Sequence, residues 1–162
     1  MTVNPYAPPK ADVADVVGSQ VAPPLWNPNA AANWSLLFSP IFGAFLHMKN
    51  WQVLGEPAKA SAAKVWVVVG IAVFVVLALA SALVPNEKAT DGLSRVVAIA
   101  LLFSWYFASA RHQAAYVKAR FGTAYPRKGW SKALLLAVLA LVGFVVALGA
   151  IGFLVGLVVS VV

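Results

Sequence analysis

From Ala133 to Val162 the chain runs thirty residues without a charged side chain, and from Val65 to Val84 it runs twenty. Neither run can be folded into a small soluble core. At 1.5 Å per residue, twenty helical residues rise about 30 Å, one hydrocarbon thickness. The longer run, about 45 Å, exceeds one span and is too short for two, so tilt or projection past the bilayer takes up the excess. Charged residues make up only 10% of the chain, well below the roughly 25% of soluble domains. The expected fold class is all-α, a polytopic membrane protein.

The breaks between runs place the helices. Gly55 suits a helix C-terminus and Pro57 the first turn of the next helix, so a transmembrane helix is expected over 57–84, ended by Pro85. Val96 to Ala110 is apolar for fifteen residues, and Arg95 and Arg111 can snorkel outward to extend it. Nothing breaks this helix before Gly122. It is expected over 93–121, with its last turns a cytoplasmic stalk in water. Tyr125-Pro126 marks a turn, Ser131 suits an N-cap, and the last helix is expected over 131–160.

The segment Asn33 to Met48 is apolar but short, and it contains Pro40 and Gly43. Phe38, Phe42 and Phe45 share one helical stripe. The segment reads as an interfacial or re-entrant helix over 33–53, capped by Asn33 or Ser35; a kinked full span is the rival. The two readings place the N-terminus on opposite sides of the membrane. Trp34, Trp51 and Trp130 read as anchors at headgroup level. Residues 1–30 carry six prolines and read as a disordered tail, so residues 31–162 form a single helical membrane domain. A polyproline-like docking peptide is the functional alternative for the tail. No signal-peptide core precedes the spans.

Orientation follows from charge. Arg111, Lys118, Arg120, Arg127, Lys128 and Lys132 lie in one connection without an acid, while the 86–95 connection pairs Lys88 and Arg95 with Glu87 and Asp91. Lys and Arg accumulate in cytoplasmic loops, so 111–132 is expected in the cytoplasm and the C-terminus in the periplasm. That placement explains the net charge of +7 without nucleic acid as a partner. The same six side chains, near Tyr116, Tyr125 and Trp130, would also meet the anionic headgroups of the bilayer.

Several resemblances bear on origin. Asn4-Pro5-Tyr6-Ala7-Pro8-Pro9 resembles the start of many uncharacterised small bacterial inner-membrane proteins. Asn33-Trp34 through Phe42-Gly43-Ala44 is similar to a pattern in the same proteins, as are Arg120-Phe121-Gly122, Tyr125-Pro126 and Trp130. The resemblance implies a bacterial inner membrane and carries no activity.

Chemistry is sparse. There is no cysteine, the five acids are scattered, and none falls inside an apolar run. His47 and His112 have no carboxylate at metal-ligand spacing, so neither enzyme, metal nor cofactor is expected. Gly149, Gly152, Gly156 and Ser160 fall on one face of the last span, where small side chains let another helix approach closely. The partner could be the chain's own first span, a second copy or a foreign helix. The expected function is a non-enzymatic binding or accessory protein, in one concrete form an immunity protein against a membrane-inserting toxin. A small channel or transporter subunit is the alternative, with Ser81, Ser104, Tyr106 and Ser109 as its polar groups.

Overall fold

The computed structural model describes residues 21–84 and 87–161, with side chains through Phe153 except that of Glu87. The described residues are helical with no strand: α1 (Pro28–Phe38), α2 (Pro40–Val53), α3 (Pro57–Leu83), α4 (Glu87–Trp105), a π-helical turn (Tyr106–Ala110), α5 (Arg111–Phe121) and α6 (Ser131–Val161). Three stretches are long and apolar enough to cross a membrane: Pro57–Leu83, Lys88–Phe121 and Ser131–Phe153.

The helix starts are written in the sequence. Asn27 caps α1, its side-chain oxygen accepting from the backbone N–H of Asn29 (3.0 Å) and of Ala30 (3.3 Å), with Pro28 at the first helical position. This corrects the expected cap at Asn33 or Ser35. Ser35 lies inside α1 and donates to the Ala31 carbonyl at 2.9 Å. Pro40 disfavours helical geometry at Ser39 and ends α1 there. Ser39 takes φ 119° and ψ 159°, and α2 begins at once on Pro40. At the other end of α2, Gly55 turns the chain at φ 71° and Pro57 opens α3, as the sequence predicts.

α1 and α2 form a hairpin whose two ends meet. The Trp26 N–H, before α1, donates to Asn50 Oδ1 in the last turns of α2 at 3.1 Å. The hairpin tip, Phe38 to Pro40, lies beside Phe74 of α3 and Ala98, Ile99 and Leu102 of α4, midway along two spans. The two arms rise only about 16 and 21 Å. Both ends of the hairpin lie together, the geometry of an interfacial or re-entrant element and not of a kinked full span.

Two glycines let the hairpin seat. A Cβ on Gly43 would collide with Ser35 Oγ and the Trp105 ring, and one on Gly70 would sit 2.6 Å from Ile41 Cγ1. Opposite Trp51, α3 presents Ala60 and Ala63. Small residues thus line the contact between α2 and α3, the closest helix pairing available where burial from water supplies no drive.

α4, the π turn and α5 form one continuous helix. The structure starts it at Glu87, earlier than the expected residue 93. Its buried positions run Leu101, Trp105, Ala110, Gln113 and Val117, at steps of four, five, three and four. The step of five would rotate the buried face away in a regular helix. The π turn over Tyr106–Ala110 absorbs it and keeps both halves facing the hairpin. α5 packs one face on the hairpin, where Gln113 is fully buried and Val117 nearly so, and leaves its basic face exposed.

The expected tail is shorter on its described side. Residues 1–20 lie outside the described residues, but Val21 to Ala30 belongs to the fold. Leu25 is fully buried and pairs with the basic loop, its N–H donating to the Pro126 carbonyl (3.1 Å) and its carbonyl accepting from the Lys128 N–H (2.9 Å). α6 leaves this junction, touching the rest of the chain through Ala133 and Ala137 at its start.

Candidate functional site: a polar clasp and a basic rim

The base of the hairpin holds a buried polar cluster. Asn50 holds the backbone of Trp26 from both sides, accepting from its N–H and donating from Nδ2 to its carbonyl at 2.8 Å. The same amide nitrogen donates to Gln113 Oε1 at 3.1 Å, and Gln113 Nε2 donates to the His47 carbonyl at 2.8 Å. One side chain from α2 and one from α5 thus clasp the N-terminal segment to the spans. Each buried amide has partners for both ends, the condition under which such groups specify a structure and do not weaken it.

His47 completes the clasp differently. Its Nε2 lies 3.2 Å from the Pro28 carbonyl. A carbonyl can only accept, so Nε2 carries the proton and Nδ1 is left as an acceptor. Burial lowers the His47 pKa to about 4, against the smaller opposing pull of the Pro28 carbonyl. Its ring tilts against Trp105 at 5.4 Å. His47 Nδ1 and Trp105 Nε1 are buried without a hydrogen-bond partner, beside the π turn. A neutral imidazole against an indole and a carbonyl has no carboxylate to raise its basicity. Among the described residues no three His, Asp or Glu side chains gather where a metal could sit.

Around the clasp runs a charged rim. Tyr116 donates to Glu56 Oε1 at 2.6 Å and accepts from Arg120 Nη1, while Lys59 Nζ lies 3.3 Å from Glu56 Oε2. The Tyr116 hydroxyl first, and Lys59 second, hold the Glu56 carboxyl below its ordinary range. Lys59 also sits over the rings of Tyr116 (4.2 Å) and Trp51 (4.9 Å). Farther round, Lys128 sits over Trp26 at 4.4 Å, and Trp26 Nε1 donates to the Gly129 carbonyl at 3.2 Å. Burial raises the Tyr125 phenol, with Arg127 opposing.

The sequence-predicted residues are distributed unevenly. Arg111, Lys118, Arg120, Arg127 and Lys132 are exposed and Lys128 half-buried, all toward the end where the hairpin opens. Trp34 and Trp130 are half-buried and meet at 6.3 Å. Trp51, expected as a headgroup anchor, is instead 4% exposed: α3 folds back on α2 and covers it with Ala60 and Ala63, while Tyr116 meets its edge at 5.0 Å. Gly149 and Gly152 have open space where a Cβ would stand; Gly156 and Ser160 lie beyond the described side chains. Ser81, Ser104 and Tyr106 are exposed and Ser109 half-buried.

Sequence reading missed Asn50, Gln113 and Trp26 as a unit, and Gly43 and Gly70 as contact points. Their signal was polar residues at the margins of apolar runs, which alone fits any loop boundary. Compared with described families, curated proteins and solved structures, the chain matches none.

Proposed function

We propose that this chain is a non-enzymatic binding protein of a bacterial inner membrane, whose last span pairs with a helix of another membrane protein. The observation that carries the reading is the isolation of α6. From Val138 to Phe153 every side chain is exposed except half-buried Leu148. Lipid covers such a helix adequately, but three glycines on it, Gly143, Gly149 and Gly152, face open space. Gly43 and Gly70, by contrast, are filled by the chain's own side chains. Glycine exposed to lipid gives up contact area, whereas glycine under a second helix gains close backbone approach. The scattered exposure of Ser81, Ser104 and Tyr106 favours pairing over conduction.

The orientation supported is a cytoplasmic hairpin base and a periplasmic C-terminus. Nine of the twelve Lys and Arg side chains belong to the 49–64 and 111–132 segments, with Glu56 their sole acid. The exposed members would also meet anionic headgroups, each contributing about 1 kcal/mol. Immunity against a membrane-inserting toxin is one concrete form of such pairing, and deletion should then sensitise cells to that toxin. The direct test is photo-crosslinking from α6 in native membranes. A discrete adduct is expected and should be lost in Gly149→Leu with Gly152→Leu; an adduct unchanged by both substitutions would sink the reading.

A further inference from the structure

Where α2 hands over to α3, the fold leaves a groove of about 450 Å³, lined by Met48, Gln52, Glu56, Ala60, Ser61 and Lys64 among others. Its depth in the bilayer follows from the sequence of α3. From Val65 to Leu83 the helix carries no charge, a rise of about 28 Å that matches the hydrocarbon layer. The turn and two helical turns before it, Gly55 to Lys64, therefore lie in the headgroup layer, and the groove opens there.

Its lining is divided by chemistry. Ser61 and Lys64 are three apart on α3 and share a face. Helical side chains lean toward the helix N-terminus, so Lys64 is directed back over Ser61 toward Glu56. One end of the groove thus offers an ammonium and a hydroxyl. The other end offers the Glu56 carboxylate and the Gln52 amide. Tyr116 and Lys59 already hold Glu56 in place and keep it ionised, yet two carboxylate oxygens have room for further donors. Met48 and Ala60 supply an apolar floor.

We propose that this groove binds one phospholipid with a zwitterionic head bearing a primary ammonium, an ethanolamine head. Its phosphate lies on Lys64 and Ser61, its ammonium on Glu56 and Gln52, and its glycerol end on Met48 and Ala60. A choline head has no N–H to donate to Glu56, and a glycerol head has no cation to oppose it. The site is independent of whether α6 pairs with anything.

The test is native mass spectrometry of the detergent-solubilised full chain with ethanolamine, glycerol and choline phospholipids of identical acyl chains. The ethanolamine lipid should be retained about fivefold better than either other, as one ion contact near the surface implies. Lys64→Ala should lower its retention about fivefold, and Glu56→Gln should erase its advantage over the glycerol lipid. Lys88→Ala, in the 86–95 connection at the opposite end of the spans, should change nothing. Equal retention of all three lipids, an unchanged Lys64→Ala protein, or an equal loss in Lys88→Ala overturns the site. Complete displacement by soluble phosphoethanolamine overturns its assignment to a lipid. Thermal unfolding of each variant separates loss of the site from loss of the fold.

Discussion

Ser39 holds a backbone conformation, φ 119° with ψ 159°, that glycine occupies freely and other residues at a cost of about 1–3 kcal/mol. The hairpin tip imposes it, since α1 must end and α2 begin on consecutive residues. Ser39→Gly should therefore raise stability by about 1 kcal/mol, read as a higher thermal midpoint in detergent, and Ser39→Val should lower it. His47 makes a second prediction at this scale. Its pKa is about 4 in the fold against 6.5 unperturbed, so the unfolded chain binds the extra proton first. Stability should be level above about pH 6.5 and decline as pH falls toward 4. His47→Gln, which can still donate to the Pro28 carbonyl, should flatten that decline. Glu56 is depressed as well, so its contribution is level through most of the histidine step and begins to fall only as pH enters the ordinary carboxylate range.

Among the elements, the hairpin depends on a few contacts that no regular repeat supplies. Asn50→Leu would leave the Trp26 backbone and the Gln113 amide without partners in a dry site, costing about 2–4 kcal/mol. Gly43→Val would drive a methyl into Trp105 and Ser35; unseating the tip should cost at least as much. Both are measured by thermal unfolding, and protease cutting after Lys49 should rise in parallel. The spans themselves were legible in the sequence, because an uncharged run of a given length has one solution in a bilayer. So were the Gly55-Pro57 handover and the end of the third helix at Phe121. The π turn was encoded in the five-residue step from Trp105 to Ala110, but that step is readable only once the buried face is known. The folding-back of α3 over Trp51 was hidden for a related reason: a tryptophan beside a span serves equally well as anchor or core until its neighbour is placed.

As a whole molecule the protein is polar in the literal sense: among the described residues one end is crowded with basic groups and the other carries Glu87, Lys88, Asp91 and Arg95. Single cysteines at Thr123 and Ala89 should react with a membrane-impermeant reagent from opposite faces; labelling of both from one face would refute the arrangement of spans. The candidate site was the least legible part. Its hydrogen bonds join residues 24, 63, 66 and 103 positions apart, and no local pattern reports such pairings. These separations also set a clock on biogenesis. The Gly129 carbonyl that receives the Trp26 indole is made 103 residues after it, about 5–20 s later at ordinary rates of synthesis. For that interval α1 and α2 can insert and Asn50 can hold Trp26, but the Gly129 carbonyl that completes the lock does not yet exist. The last connection thus acts as a latch, and a chain truncated before Arg127 would keep two of its spans yet lose the bolt on its first hairpin.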